Sequence, residues 1–293
     1  MRQIHSEPVL GALSPSVGRE RGADGIAPTP PSFGAKAFQD LWEGWRNYRE
    51  LWLAIGWYDI RKRYRRSVLG PFWITISIGV LITALTFLYV PLIGRNVERY
   101  APYVAFGIIA WQLVSMLVTE SCNVFIVNGT TIQQLRAPLS IYIYEVIWKN
   151  FLILAHNLLI YVVIVVIFGI WPTWATLLII PGIFLVCLNG VWVGMLLGPL
   201  CARFRDIPPI MATIVQMMFL LTPILWRPDQ VPGREFLVVF DPFYYFIELI
   251  REPLLSNAPT QLVWSVALLI TALGFAVAIP FFSRFRDRVP YWV

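Results

Sequence analysis

Residues able to carry out chemistry are scarce in this chain of 293 residues. His5 and His156 are its only histidines, so the helical pair of histidines that a zinc protease needs is ruled out. Cys122, Cys187 and Cys201 lack metal-ligand spacing and read as small core residues. Asp241 has no second Asp at membrane depth with which to form a protease dyad, and there is no Gly-x-Ser-x-Gly elbow. Lys36, Lys62 and Lys149 follow Ala35, Arg61 and Trp148, never the glycine of a Walker A loop, so ATP is not bound in that way. Glu120 and His156 remain as ionisable groups inside apolar stretches. Glu120, toward one end of its stretch, is expected to snorkel or pair with a neighbouring helix, and His156 with Asn157 to make interhelical hydrogen bonds. No catalytic residue and no metal site is expected.

The elements that carry these residues are membrane helices. The chain is 58% hydrophobic and only 14% charged, against about 25% charge in an ordinary soluble domain. Its mean hydropathy is +0.66. Six stretches are long enough to cross about 30 Å of hydrocarbon at 1.5 Å per residue: 72–93, 103–127, 148–171, 175–200, 207–226 and 262–282. With the N-terminus inside, the basic residues near the span ends divide 12 inside to 5 outside, so both termini are expected in the cytoplasm. The fold class is therefore all-α, a multi-pass protein of the cell inner (plasma) membrane.

Residues 1–35 lack the apolar core of a secretory signal and have the Pro, Gly, Ser and charge composition of a disordered cytoplasmic tail. From Phe38 onward, Leu41, Trp42, Trp45, Tyr48, Trp52 and Ile55 recur every three or four positions, with Asp40, Glu43, Arg46 and Glu50 between them. That spacing predicts an amphipathic helix over 36–66, lying on the lipid surface with a basic end. The net charge of +6 gathers mainly before the first span, which suits anionic lipid; no nucleic-acid partner is expected. Residues 67–293 form the transmembrane domain.

Two connections stand out. Between the second and third spans, Thr131 is placed to cap a short helix running through Arg136 and ending before Pro138, a shape able to dock into a soluble partner. An ordinary surface turn fits that loop equally well. Beyond the fifth span, residues 236–250 are apolar but broken by Asp241 and Pro242, too short to cross. Two short helices dipping into the outer leaflet and returning would fit.

Several of these stretches resemble one family. Tyr58-Asp-Ile-Arg-Lys-Arg-Tyr-Arg-Arg-Ser-Val-Leu-Gly-Pro-Phe-Trp73 is similar to the lead-in to the first span of type 2 ABC exporter permeases of the polysaccharide (O-antigen, capsule, teichoic acid) export family. Leu135-Arg-Ala-Pro-Leu-Ser140, Trp148-Lys-Asn150, His156-Asn157, Arg203-Phe-Arg-Asp206 and Asp241-Pro-Phe-Tyr-Tyr245 running to Arg251 match in the same order. The resemblance implies two copies of the chain, each with an ATPase subunit that binds ATP and Mg, moving a polyprenyl-diphosphate-linked polysaccharide between them. No cofactor would sit in this chain, and membrane lipid surrounds it.

By the same resemblance, Ile132, Gln133, Gln134, Leu135, Arg136 and Ala137 couple to the ATPase. Arg61, Arg63, Tyr64, Arg66, Gly70 and Trp73 belong to the interface helix and the start of the first span. Asp241, Pro242, Tyr244, Tyr245 and Arg251 form the external gate, and Trp73, Phe219 and Thr222 contribute to the channel lining. The long tail and the polar Gly129-Thr-Thr-Ile-Gln-Gln134 depart from some members. Alternative tasks are export of a lipid or small drug by a permease of the same class, or a membrane enzyme of envelope glycan synthesis, which the missing acid, His and Cys constellation disfavours. Reporter fusions after Arg99, Asn128 and Val293 test the layout: the expected readings are outside, inside and inside.

Overall fold

Apolar helices dominate the computed structural model, which describes residues 34–63, 72–93, 96–135, 137–230, 233 and 236–293. In chain order these are α1 (Ala35–Asn47), α2 (Arg49–Arg63), α3 (Phe72–Ile93), α4 (Val97–Val127), α5 (Gly129–Gln134), α6 (Ser140–Phe168), α7 (Ile179–Arg203), α8 (Ile207–Leu221), α9 (Phe236–Val239), α10 (Pro242–Leu254) and α11 (Gln261–Phe285). Short 3-10 turns precede α7 and follow α11, and no strand occurs among the described residues.

Among the described residues four helical stretches are long and apolar enough to cross a membrane: Val97–Val127, Ser140–Phe168, Trp174–Arg203 and Gln261–Tyr291. Thr75–Pro91 and Ile207–Leu221 are shorter apolar helices. The fifth expected span, 207–226, stops being helical at Leu221, because Thr222 is extended (φ −67°, ψ 137°) and Pro223 follows it. A residue before proline is pushed out of the helical region by the ring's Cδ. At 15 residues, α8 is only about 22 Å long.

Helix α4 is the centre of the bundle, packing against α3, α6, α7, α8 and α10. Its apolar residues point all ways because protein surrounds it, and 78% of its most apolar window is buried. Helix α7 approaches α4 and α6 through a stripe of small residues, Gly190, Gly194 and Gly198. A Cβ on Gly198 would stand 2.6 Å from Phe125 Cε2, and one on Gly194 would stand 2.8 Å from Ile143 Cγ2. Such four-residue spacing lets backbones come close where lipid offers no hydrophobic drive for association.

The amphipathic segment is two helices rather than one. The backbone breaks at Tyr48 (φ −116°, ψ 18°), and across the break Trp45 and Trp52 stack with ring centroids 5.4 Å apart, both against Tyr144 of α6. Phe38, Trp42 and Trp45 are exposed, as a lipid-facing stripe should be. The opposite face is not bathed in water, however. Ala37, Asp40 and Gly44 are buried against the ends of α6 and α11, so an acid expected among solvated residues is inside the protein.

Replacing Gly198 by alanine should lower the thermal midpoint of the purified protein by the equivalent of about 1–3 kcal/mol, the usual cost of overpacking. Gly79→Ala in α3, where a Cβ meets nothing within 4 Å, should leave it unchanged or slightly higher.

Candidate functional site

The short helix α5 sits between the two longest described helices and continues α4 after a turn at Asn128. It begins at Gly129, so Thr131 lies inside it rather than capping it; the Asn128 carbonyl accepts the Ile132 N–H at 2.9 Å. Ile132 faces the core, whereas Gln133, Gln134 and Leu135 are exposed and Ala137 is half-buried. Arg136 lies outside the described residues.

Two anchors hold this connection. The first is Asp40, whose carboxylate accepts the N–H of Ser140 at 2.9 Å and of Leu139 at 3.2 Å at the N-terminus of α6. Ser140 Oγ returns a hydrogen bond to the Asp40 carbonyl at 2.7 Å. Those N–H groups have no partner inside their own helix, and a negative charge there is favoured by the helix dipole. Arg286, just after α11, pairs with the same carboxylate at 3.1 Å and donates to the Lys36 carbonyl at 2.8 Å. One buried carboxylate thus joins α1, the start of α6 and the end of α11.

The second anchor is the segment after α11. Gln133 Nε2 donates to the Val293 oxygen, and Arg205 Nη2, in the α7–α8 connection, donates to the Trp292 carbonyl at 3.0 Å. The Arg203 guanidinium lies 5.5 Å from the Trp292 ring centroid, within cation–π range. Displacing α5 would therefore pull on the ends of α4, α6, α8 and α11 together.

At the far end of the bundle, α10 starts at Asp241, whose carboxylate caps the helix by accepting the Phe243 N–H at 2.9 Å, with Pro242 at the first helical position. Burial raises the Asp241 carboxyl above its ordinary pKa, while the N–H groups of Phe243 and Tyr244 act in the opposite sense. Arg251, fully buried, pairs with Glu248 and donates to the Pro223 carbonyl at 2.6 Å. Its guanidinium lies 4.0 Å from the Tyr103 ring centroid, and that of Arg227 lies 4.3 Å from the same centroid. Tyr103 in turn donates to the Pro223 and Trp226 carbonyls at 3.1 and 3.2 Å, and Tyr100 to the Leu225 carbonyl at 2.9 Å. In the turn after α8, the carbonyls of Pro223, Leu225 and Trp226 thus take their donors from α4 and α10.

Among the remaining expected site residues, Arg61 and Trp73 are exposed, and Arg63 is the last residue of α2. Tyr64, Arg66 and Gly70 lie outside the described residues. Tyr245 is buried and Tyr244 half-buried, the former donating to the Val239 carbonyl at 3.0 Å. Phe219 packs on Trp111 with centroids 5.8 Å apart, and Thr222 is enclosed. Glu120 is paired with Lys149 at 3.2 Å and accepts from Asn150 at 2.8 Å, and the His156 ring nitrogen bonds the Leu152 carbonyl at 2.7 Å. No group of three potential metal ligands occurs among the described residues.

Residues 50–255, from the first turn of α2 to the end of α10, match the ABC-2 type transporter family. The chain belongs to that family. This ABC-2 chain is the membrane subunit of a transporter and not itself an enzyme. It is 22% identical over 239 residues to an "O-antigen export system permease protein RfbA" of Klebsiella pneumoniae, covering 78% of this chain and 91% of the relative. It is likewise 22% identical over 199 residues to the protein of the same description from Myxococcus xanthus, covering 67% of this chain and 76% of the relative. The family match contains α5 and the Arg251 cluster, whereas Asp40 and Arg286 lie outside it on either side.

Asp40 and Arg286 escaped the sequence reading, although the small and acidic spacing of Ala37, Asp40 and Gly44 on one helix face was a signal for close packing. Asp40→Ala leaves two helix N–H groups without their acceptor and removes one of the two carboxylates paired with Arg286, and should cost about 2 kcal/mol of stability. Asp40→Asn, which keeps an acceptor oxygen, should cost clearly less; thermal midpoints of the two purified variants check the order.

Proposed function

We propose that this chain is the permease of an ATP-driven exporter that moves a polyprenyl-diphosphate-linked polysaccharide, of O-antigen or capsule type, out of the cytoplasm. Two copies would pair in the inner membrane, each with a separate ATPase subunit that binds ATP and Mg. The observation that carries the reading is the similarity to O-antigen export permeases across nearly the full length of a relative. The lack of a Walker A loop in this sequence agrees with an energy source on another chain.

In this reading α3 and α8 join the four longer helices to make six spans, with both termini in the cytoplasm. Residues 1–35 are a tail, 36–66 the interface segment and 67–293 the transmembrane domain. Helix α5, with Leu135, Arg136 and Ala137, is the coupling helix. Its exposed glutamines and its ties to Val293 and the start of α6 suit an element that receives a push and passes it on. ATP closing the partner dimer would shift the permease between two arrangements, and it can do so only by as much as its affinity differs between them.

The interface segment, with Arg61, Arg63, Tyr64, Arg66, Gly70 and Trp73, would guide the lipid-linked substrate toward the first span. Helices α9 and α10, carrying Asp241, Pro242, Tyr244, Tyr245 and Arg251, would return within the outer leaflet as the external gate. Trp73, Phe219 and Thr222 would contribute to the lining of the path, where aromatic faces stack on sugar rings.

Co-expression with the ATPase encoded in the same gene cluster tests the function. The two proteins should co-purify, and the ATPase rate should change on complex formation; an ATPase that neither binds nor responds refutes the assignment. Arg136→Glu, which inverts charge at the coupling contact, should weaken the complex by about tenfold or more while leaving membrane insertion intact. Unchanged export of surface glycan by that variant would remove α5 from the coupling role.

A further inference from the structure

A polar cavity of about 280 Å³ opens between α2, α4 and α6, near the turn that leads into α5. Its wall carries three acids from three helices: Asp59 of α2, Glu120 of α4 and Glu145 of α6. Lys149 is the only basic side chain lining it among the described residues, and it pairs with Glu120 at 3.2 Å. Among the described residues neither Asp59 nor Glu145 takes part in a salt bridge.

Glu145 forms the floor. It is 3% exposed, and its Oε2 is buried without a hydrogen-bond donor. Asp59 lines the same cavity. Two carboxylates facing one cavity have no donor to share unless a proton or a cation lies between them. The cavity has room for more than a proton, and exposed Asn123 and Val127 stand at its rim.

The rest of the wall narrows the choice of cation. Thr119 Oγ1 donates to the Ser115 carbonyl at 2.9 Å, Asn123 Nδ2 to the Thr119 carbonyl at 3.1 Å and Asn128 Nδ2 to the Val124 carbonyl at 2.9 Å. Donors are thus engaged along α4 itself, and the wall is rich in acceptors. Among the described residues no three acids, histidines or cysteines are grouped to hold a metal ion. A group with several N–H donors in one compact charge meets dispersed acceptors better than a bare metal would.

We propose that this cavity is a binding site for a primary ammonium group, held by Glu145 and Asp59. That ammonium can come from an ethanolamine lipid headgroup or from a free amine. The proposal does not depend on what the transporter carries.

The test uses the full chain in nanodiscs of phosphatidylcholine, whose quaternary nitrogen has no N–H to donate. Including phosphatidylethanolamine, or adding millimolar ethanolamine to the phosphatidylcholine discs, should raise the thermal midpoint by about 3 °C or more. A rise with the lipid alone assigns the headgroup as the source, and a rise with ethanolamine assigns a soluble amine; either supports the site. Glu145→Gln should abolish the rise, and Asp59→Asn serves the same purpose if the first variant does not fold. A rise of equal size in a folded variant overturns the proposal, as do equal midpoints in all three conditions. A midpoint that responds only to lowered pH overturns it in favour of a proton shared by Glu145 with Asp59, beside Glu120 and Lys149.

Discussion

A carboxylate taken out of water must be matched by donors, and Asp40 meets that demand by drawing three distant parts of the chain together. The Ser140 and Leu139 amides need an acceptor because α6 begins there, and Arg286, just after α11, supplies the cation that pairs with the same carboxylate. Each of these groups would be costly alone at the edge of a low-dielectric bundle. Together they fix where the amphipathic helix lies, and with it the geometry of the connection through α5.

The opposite end obeys the same rule with the charges exchanged. Arg251 is buried as a cation, paired with Glu248, bonded to the Pro223 carbonyl and set over the Tyr103 ring. Because α8 stops at Leu221, the carbonyls of 223–226 need donors, and the phenols of α4 supply them. Between the two polar clusters runs α4, enclosed by apolar helices and approached closely by the glycine stripe of α7. The centre that joins these two hydrogen-bonded ends is close-packed, and packed interiors deform little.

The ionisable residues inside the bundle accordingly hold structure together instead of doing chemistry. Glu120 is paired with Lys149 and accepts from Asn150, and His156 is bonded to its own helix. At the cavity between α2, α4 and α6, Glu145 Oε2 is buried without a donor.

By itself the sequence determined that the chain is helical, that it lives in lipid, and that it lacks a reaction of its own. Those properties follow from hydropathy summed over 20 or so residues, from the spacing of tryptophans and from the residue types absent, all of which are local or compositional. The family motifs around Arg61, Leu135 and Asp241 were legible for the same reason, since each is a short contiguous string. Tertiary structure alone decided that the amphipathic segment breaks at Tyr48, where ring packing on Tyr144 outweighs helix continuity. It alone decided that Asp40 faces protein and that Arg251 holds the turn after α8. Each of those outcomes rests on partners between 28 and about 250 residues away, and no periodicity in a single segment records which distant helix end will supply the missing donor.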